Sequence, residues 1–236
     1  RQGFRVLAPD QRGYNRSSAP AAVSAYAITN LVRDVIALLD ALDIPQVNLA
    51  GHDWGAAVAW HTALQHPDRV RRLAIANVPH PAVMRRFLRH SPRQMLKSWY
   101  IFFFQIPGLA EFLLEARDFN LAVRSLQRSG LPGTFAPDEL ERYRQSWKTA
   151  GGLRGMIHWY RAALRYPPPE PADPVLRMPV LILWGKRDIA LHSAMAEASM
   201  AYCPQGRLVA FDDASHWVMR DRPAEVNREL SEHFGM

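Results

Sequence analysis

The sequence predicts an α/β fold, with a mostly parallel sheet flanked by helices and one inserted helical segment. Three observations carry that prediction. The first 80 residues alternate strand-like and helix-like runs, the pattern of parallel strands joined by covering helices. Between about residues 80 and 173 no buried strand is legible. From residue 179 the alternation resumes.

In order, residues 4–8 (FRVLA) form a strand candidate that ends at Pro9-Asp10, and residues 11–20 a loop rich in Gly, Asn, Ser and Pro. Residues 28–42 carry Leu31, Val35, Leu38, Leu39 and Leu42 at helical spacing, with Thr29 as a candidate cap. The run 47–50 (VNLA) has strand length, 51–55 turns, and the following AAVAWHTALQ has helical composition. Residues 70–78 are a further strand. At Pro79-His80-Pro81 the character changes to a helical, aromatic- and Arg-rich segment, broken at Pro107-Gly108, at 130–133 and at Gly151-Gly152. Its end is marked by the stiff PPPEP of residues 167–171. Strands at 179–184 and 207–211 and helices at 193–202 and 223–234 complete the chain. The expected organisation is a core of residues 1–79 and 174–236 interrupted by an insertion of residues 80–173.

Composition narrows the class. At 236 residues, with 48% hydrophobic and 22% charged, the chain can bury a sizeable core. The net charge of +7 comes from scattered arginines. Its densest clusters, Arg69-Arg71-Arg72 and Arg85-Arg86-Arg89-Arg93, lack any nucleic-acid motif and read as solvated helix faces. No nucleic-acid partner is expected. A single cysteine, Cys203, excludes an intramolecular disulfide framework and suits a reducing, cytoplasmic setting. Residues 1–5 do not read as a signal peptide, and the apolar run 99–106 is too short to span a bilayer.

The chemistry centres on residues 46–55, QVNLAGHDWG. Strand, tight turn with glycines two before and two after one reactive side chain, then helix: this is a nucleophile elbow, with Asp53 in the position where serine is best known. Two further groups follow strand ends, where catalytic residues of open α/β sheets sit: Asp188 in WGKRD and His216 in DDASHW. The order nucleophile, acid, histidine is the order of α/β-hydrolase triads. Taken singly, Asp53 could be an N-cap, Asp188 a turn residue, and Asp212 or Asp213 the group that orients His216. His52, His61, His66, His80 and His158 read as packing, elbow or surface groups. An ionised aspartate needs no base to act as nucleophile. It suits displacement at an sp³ carbon, giving an alkyl ester, and suits ester substrates poorly because attack would give an anhydride.

Together, DQRGY at 10–14, GHDWG at 51–55, NVPHP at 77–81 and SHW at 215–217 resemble the epoxide hydrolase branch of the α/β-hydrolase fold, over essentially the whole chain. The resemblance implies that the insertion is a helical cap (lid). It also implies that Tyr100, in SWYIFFFQIPG, and Tyr160, in HWYR, polarise the epoxide oxygen. His216, oriented by Asp188, would then activate water against the Asp53 ester, with the Trp54 backbone N–H in the oxyanion hole. The product is a vicinal diol, the partners are a small apolar epoxide and water, and no metal or organic cofactor is implied. Haloalkane dehalogenases share the elbow, and there Trp54 would hold halide. Relative to the family, the chain lacks the earlier strands and the His-Gly-x-Pro loop that supplies a second oxyanion donor. The expectation is therefore a truncated sequence, with an inactive ligand-binding fragment as a further alternative. Asn15, where Gly is usual, is compatible because Asn tolerates positive φ.

Overall fold

In the computed structural model, which describes residues 3–149 and 151–235, four parallel strands lie in the order β1-β2-β3-β4. These are β1 (Val47–His52), β2 (Val70–Ala76), β3 (Val180–Gly185) and β4 (Gly206–Phe211). Helix α1 (Ile28–Ala41) precedes β1, and α2 (Trp54–Gln65) links β1 to β2. Between β2 and β3 run α3 (Pro81–His90), α4 (Pro92–Lys97), α5 (Trp99–Phe103), α6 (Leu109–Ser129, broken by a non-helical kink at Ala116, Arg117, Asp118 and Phe119), α7 (Pro137–Trp147) and α8 (Gly152–Arg165). The chain closes with α9 (Ala194–Met200), α10 (Val218–Asp221) and α11 (Pro223–Gly235).

The period of two along the strands decides what covers each face. Leu73 and Ile75 of β2 join Ile182 and Trp184 of β3 in a cluster with Trp60, Ala63 and Met195. Their neighbours Ala74, Ala76, Leu181 and Leu183 face the other way, onto Val218 and Val226. All six residues of β3 are buried, which is why its sequence reads as an unbroken apolar run.

Two compact units emerge from the chain. One comprises Val32–Tyr100, Arg128–Thr134 and Pro169–Met236 and holds the sheet. The other comprises Arg1–Leu31, Ile101–Gln127 and Phe135–Pro168. Within the latter, the Arg161 guanidinium donates to Glu111 (2.9 Å) and to the carbonyls of Phe104 (2.8 Å) and Ile106 (3.1 Å). The Trp159 indole N–H donates to the Arg12 carbonyl (2.9 Å). Asn15 sits at φ 45°, the conformation that suits Asn at this turn.

Two local expectations fail. Residues 4–8 form no strand: Phe4, Val6 and Leu7 are 44%, 78% and 41% exposed, and the run has no strand partner among the described residues. Apolar composition favours a strand only where a neighbouring strand takes its hydrogen bonds. Thr29 lies inside the first turn of α1 rather than at its cap.

Close approach fixes one glycine. A Cβ built on Gly185, at the end of β3, would lie 1.9 Å from the Ser215 carbonyl oxygen. Gly185→Ala must push away the backbone immediately before His216, so it should cost about 1–3 kcal/mol or more in urea denaturation, with His216 displaced.

Candidate active site

Four strand ends of the sheet-bearing unit supply the polar residues of one constellation. After β1 comes Asp53, held at φ 49° and ψ −125°, a strained conformation for a residue with a Cβ. The turn that imposes it is tight: a Cβ on Gly51 would stand 2.5 Å from the Gly55 carbonyl. The Asp53 side chain makes no capping bond to α2. The backbone N–H of Trp54 is bonded to the Asp53 carboxyl instead.

After β4 comes His216, whose Nε2 is 3.5 Å from Asp53 Oδ1 and whose Nδ1 is 2.7 Å from Asp188 Oδ2. Asp188 follows β3. Its Oδ1 accepts the backbone N–H groups of Ala190 (2.7 Å) and Leu191 (2.9 Å), and its Oδ2 also accepts the Asn77 amide (2.9 Å). The carboxylate thus has four donors, and its side chain is 0% exposed, whereas the Asp53 side chain keeps 45% of its surface accessible. One carboxylate is locked; the other is reachable. The alternative orienting groups are engaged elsewhere, Asp212 with Lys186 (2.6 Å) and Asp213 with Arg222.

Support extends outward from His216. The His52 Nε2–H donates to the His216 carbonyl (2.9 Å), which requires a neutral or charged ring with that nitrogen protonated. Asp221 accepts both the N–H (2.8 Å) and the hydroxyl (2.6 Å) of Ser215, and the Trp217 indole donates to Ser129 Oγ (2.8 Å). Asn77 is the residue that sequence reasoning left without a role. It is fully buried, at φ 46°, and also donates to the Gly185 carbonyl (3.2 Å) and accepts the Gly185 N–H (2.8 Å). The signal lies in the sequence: Asn77 is a polar residue directly after the apolar run of β2, where functional side chains of open α/β sheets sit.

Electrostatics follow from this packing. Burial by itself would raise the pKa of both aspartates, but the hydrogen bonds and charge of His216 outweigh it, and both carboxyls are held below their ordinary range. Burial by itself would lower His216; its bonds to Asp188 and Asp53, and their charges, instead raise it to about 10. His52, desolvated and beside His216, falls to about 4. The Tyr100 phenol is pushed well above its usual value, first by burial and then by the Asp53 and Asp188 anions, so it stays protonated. Among the described residues no group of three or more His, Cys, Asp or Glu side chains could hold a metal ion, and no helix is long and apolar enough to cross a membrane.

Of the six residues singled out in the sequence, Asp53, Trp54, Tyr100, Asp188 and His216 fall in the sheet-bearing unit. Tyr160, on α8, belongs to the other unit, where its ring lies 4.7 Å from that of Phe104 and its carbonyl accepts the Gln105 amide (3.1 Å).

A strand-turn-helix aspartate facing a histidine–aspartate pair on a parallel sheet defines a hydrolase of one fold class, and comparison with known proteins agrees. The family model described as alpha/beta hydrolase fold matches residues 1–223. The chain belongs to the α/β-hydrolase fold family, in its epoxide hydrolase branch. It is 38% identical to the AB hydrolase superfamily protein YfhM of Bacillus subtilis, over 98% of this chain and 81% of that protein. It is 34% identical to Epoxide hydrolase 2 of Caenorhabditis elegans, over 94% of this chain and 64% of that protein. The crystal structure of a Bacillus megaterium epoxide hydrolase with an inhibitor superposes with a TM-score of 0.86 at 28% identity, covering 96% of this chain and 82% of that one. The chain spans between 46% and 64% of the length of the curated animal epoxide hydrolases it matches.

The raised pKa of His216 has a measurable consequence. A histidine whose folded pKa exceeds its unfolded value of about 6.5 stabilises the fold fully below that pH, and the contribution is lost as pH rises through the folded value. For His216 the window runs from 6.5 to about 10. In Asp53→Asn one of its two anionic neighbours is gone, so the His216 midpoint in an NMR titration should fall below that of the parent chain.

Proposed function

We propose that the chain is an epoxide hydrolase working through an alkyl ester on Asp53. An Asp53 carboxylate oxygen attacks one epoxide carbon, and the carbon–oxygen bond of the ring breaks. The released alkoxide takes a proton from a phenol, assigned to Tyr100 and Tyr160. Water, deprotonated by His216 Nε2, then attacks the carbonyl carbon of the ester, with the developing oxyanion held by the Trp54 N–H. Collapse breaks the bond to the ester oxygen, which takes a proton from the His216 imidazolium; the new Asp53 carboxyl returns its proton to His216, leaving a vicinal diol and the Asp53 carboxylate. The observation that carries this reading is the reachable Asp53 carboxylate 3.5 Å from a His216 that Asp188 orients at 2.7 Å.

The electrostatics support an order of events. Asp53 and Asp188 hold His216 as imidazolium in the resting enzyme. Alkylation converts Asp53 from an anion to a neutral ester, which removes one of the two charges that raised the His216 pKa. The imidazolium then yields its proton to the phenolate left by ring opening. His216 becomes a base only once there is an ester to hydrolyse.

The Tyr100 phenol, kept protonated beside two carboxylates, favours an epoxide over an alkyl halide, since an alkoxide leaving group needs a proton and a halide does not. The same reading takes residues 80–173 as the cap, residues 1–79 and 174–236 as the core, and a small apolar epoxide as substrate. The buried free thiol of Cys203 is in keeping with a cytoplasmic setting.

His216→Gln incubated with an aryl or alkyl epoxide should accumulate protein heavier by the mass of that epoxide, with the adduct mapping to the Asp53 peptide by mass spectrometry. A folded, epoxide-binding variant without adduct would reject the covalent route. Replacing both Tyr100 and Tyr160 with Phe should abolish diol formation, a loss of at least about a hundredfold, in gas-chromatographic product assays. Halide release from haloalkanes, with no diol from epoxides, would select the dehalogenase reading instead.

A further inference from the structure

Gln94 is an amide with no exposed surface, on a short helix that no catalytic motif includes. Burying a primary amide is costly unless its groups are bonded, and here the partners are specific. Nε2 donates to the Ala190 carbonyl (2.8 Å) and to Ser98 Oγ (3.0 Å), and Oε1 accepts the His192 N–H (2.9 Å). Ala190 and His192 flank Leu191 in the loop whose Ala190 and Leu191 N–H groups bind Asp188 Oδ1. Gln94 therefore grips from outside the loop that wraps the carboxylate from inside. One helical turn later, the Lys97 ammonium donates to the Asp188 carbonyl (2.7 Å). Ser98, Gln94's third partner, stands two residues before Tyr100.

Accepting the epoxide hydrolase reading above, we infer that Gln94 and Lys97 form a clamp that positions Asp188, and through it His216, for hydrolysis of the Asp53 ester. These are positioning residues: neither bonds to His216, and their partners are the backbone of residues 188–192 and Ser98. The geometry makes the step specific. Ester formation uses Asp53 and a phenol, whereas ester hydrolysis depends on the direction in which Asp188 Oδ2 holds the imidazole, and displacement of a catalytic group by about an ångström can cost on the order of a hundredfold. The groups facing His216 are Asp53, Asp188 and His52, so loosening the clamp alters one of its two anionic partners and leaves the other in place.

The test uses Gln94→Met, close in length and volume but without hydrogen-bonding groups, and Lys97→Met, which removes one bond from a partly exposed position. With epoxide, both should slow ester hydrolysis, by about ten- to a hundredfold for Gln94→Met. Ester formation should change less, so that the adduct seen in His216→Gln becomes detectable in the steady state. Without substrate, the downfield proton resonance of the His216 Nδ1–H···Asp188 bond should shift or broaden in both. A purely structural role would lower the denaturation midpoint and leave the adduct fraction and that resonance unchanged, and folded variants with that outcome overturn the clamp. Should Gln94→Met fail to fold, Lys97→Met decides by the same two readouts. Absence of adduct in His216→Gln would count against the function instead, and the substrate-free resonance still decides the clamp.

Discussion

The arrangement depends on one ion pair, that between His216 and Asp188. An Asp carboxylate with no exposed side-chain surface persists as an anion only if its lone pairs are filled, and four donors from three parts of the chain fill them. Two are backbone N–H groups of its own loop, one is the amide of Asn77 after β2, and one is the imidazole after β4. Each donor is fixed by a strand end or a tight turn, so the parallel sheet acts as the ruler that sets the ion pair. The polar groups beyond it keep it in place: Asp221 on Ser215, His52 on the His216 carbonyl, and Gln94 and Lys97 on the Asp188 loop.

Two carboxylates flank one imidazole, yet their environments differ in the respect that matters. Asp188 is sealed and saturated, while Asp53 holds a weaker, longer contact to His216 and keeps accessible surface. Environment rather than residue type separates an orienting acid from a group free to react. In the proposed mechanism that difference also times the histidine, because consuming the Asp53 charge is what makes His216 basic. A serine at the same elbow would lack this coupling, since it carries no charge to lose.

Backbone strain at the elbow fits the same picture. Asp53 and Asn77, both at positive φ, sit immediately after adjacent strands, and each turns a polar side chain toward the constellation at a cost of about 1–3 kcal/mol. Such conformations survive because the surrounding contacts over-determine them. For Asp53 these are the close approach of Gly51 to the Gly55 carbonyl and the bond from Trp54. For Asn77 they are three side-chain bonds to Gly185 and Asp188.

By itself the sequence determined the fold class, the four sheet strands to within two residues, and the three strand-end groups Asp53, Asp188 and His216. All of these are local signals: period, turn composition, and the position of one polar residue after an apolar run. It did not determine that residues 4–8 would remain unpaired, because a strand is defined by its neighbour as well as by its composition. It favoured Asp188 over Asp212 and Asp213 by strand-end position alone; that Asp188 bonds His216 while Asp212 and Asp213 meet Lys186 and Arg222 is decided only once β3 and β4 are paired. Asn77 and Gln94 acquired meaning only in three dimensions, since apart from Ser98 their partners lie between 96 and 111 residues away along the chain, and most are backbone atoms with no sequence signature. Local chemistry is written in the order of residues; which charge meets which donor is decided by packing.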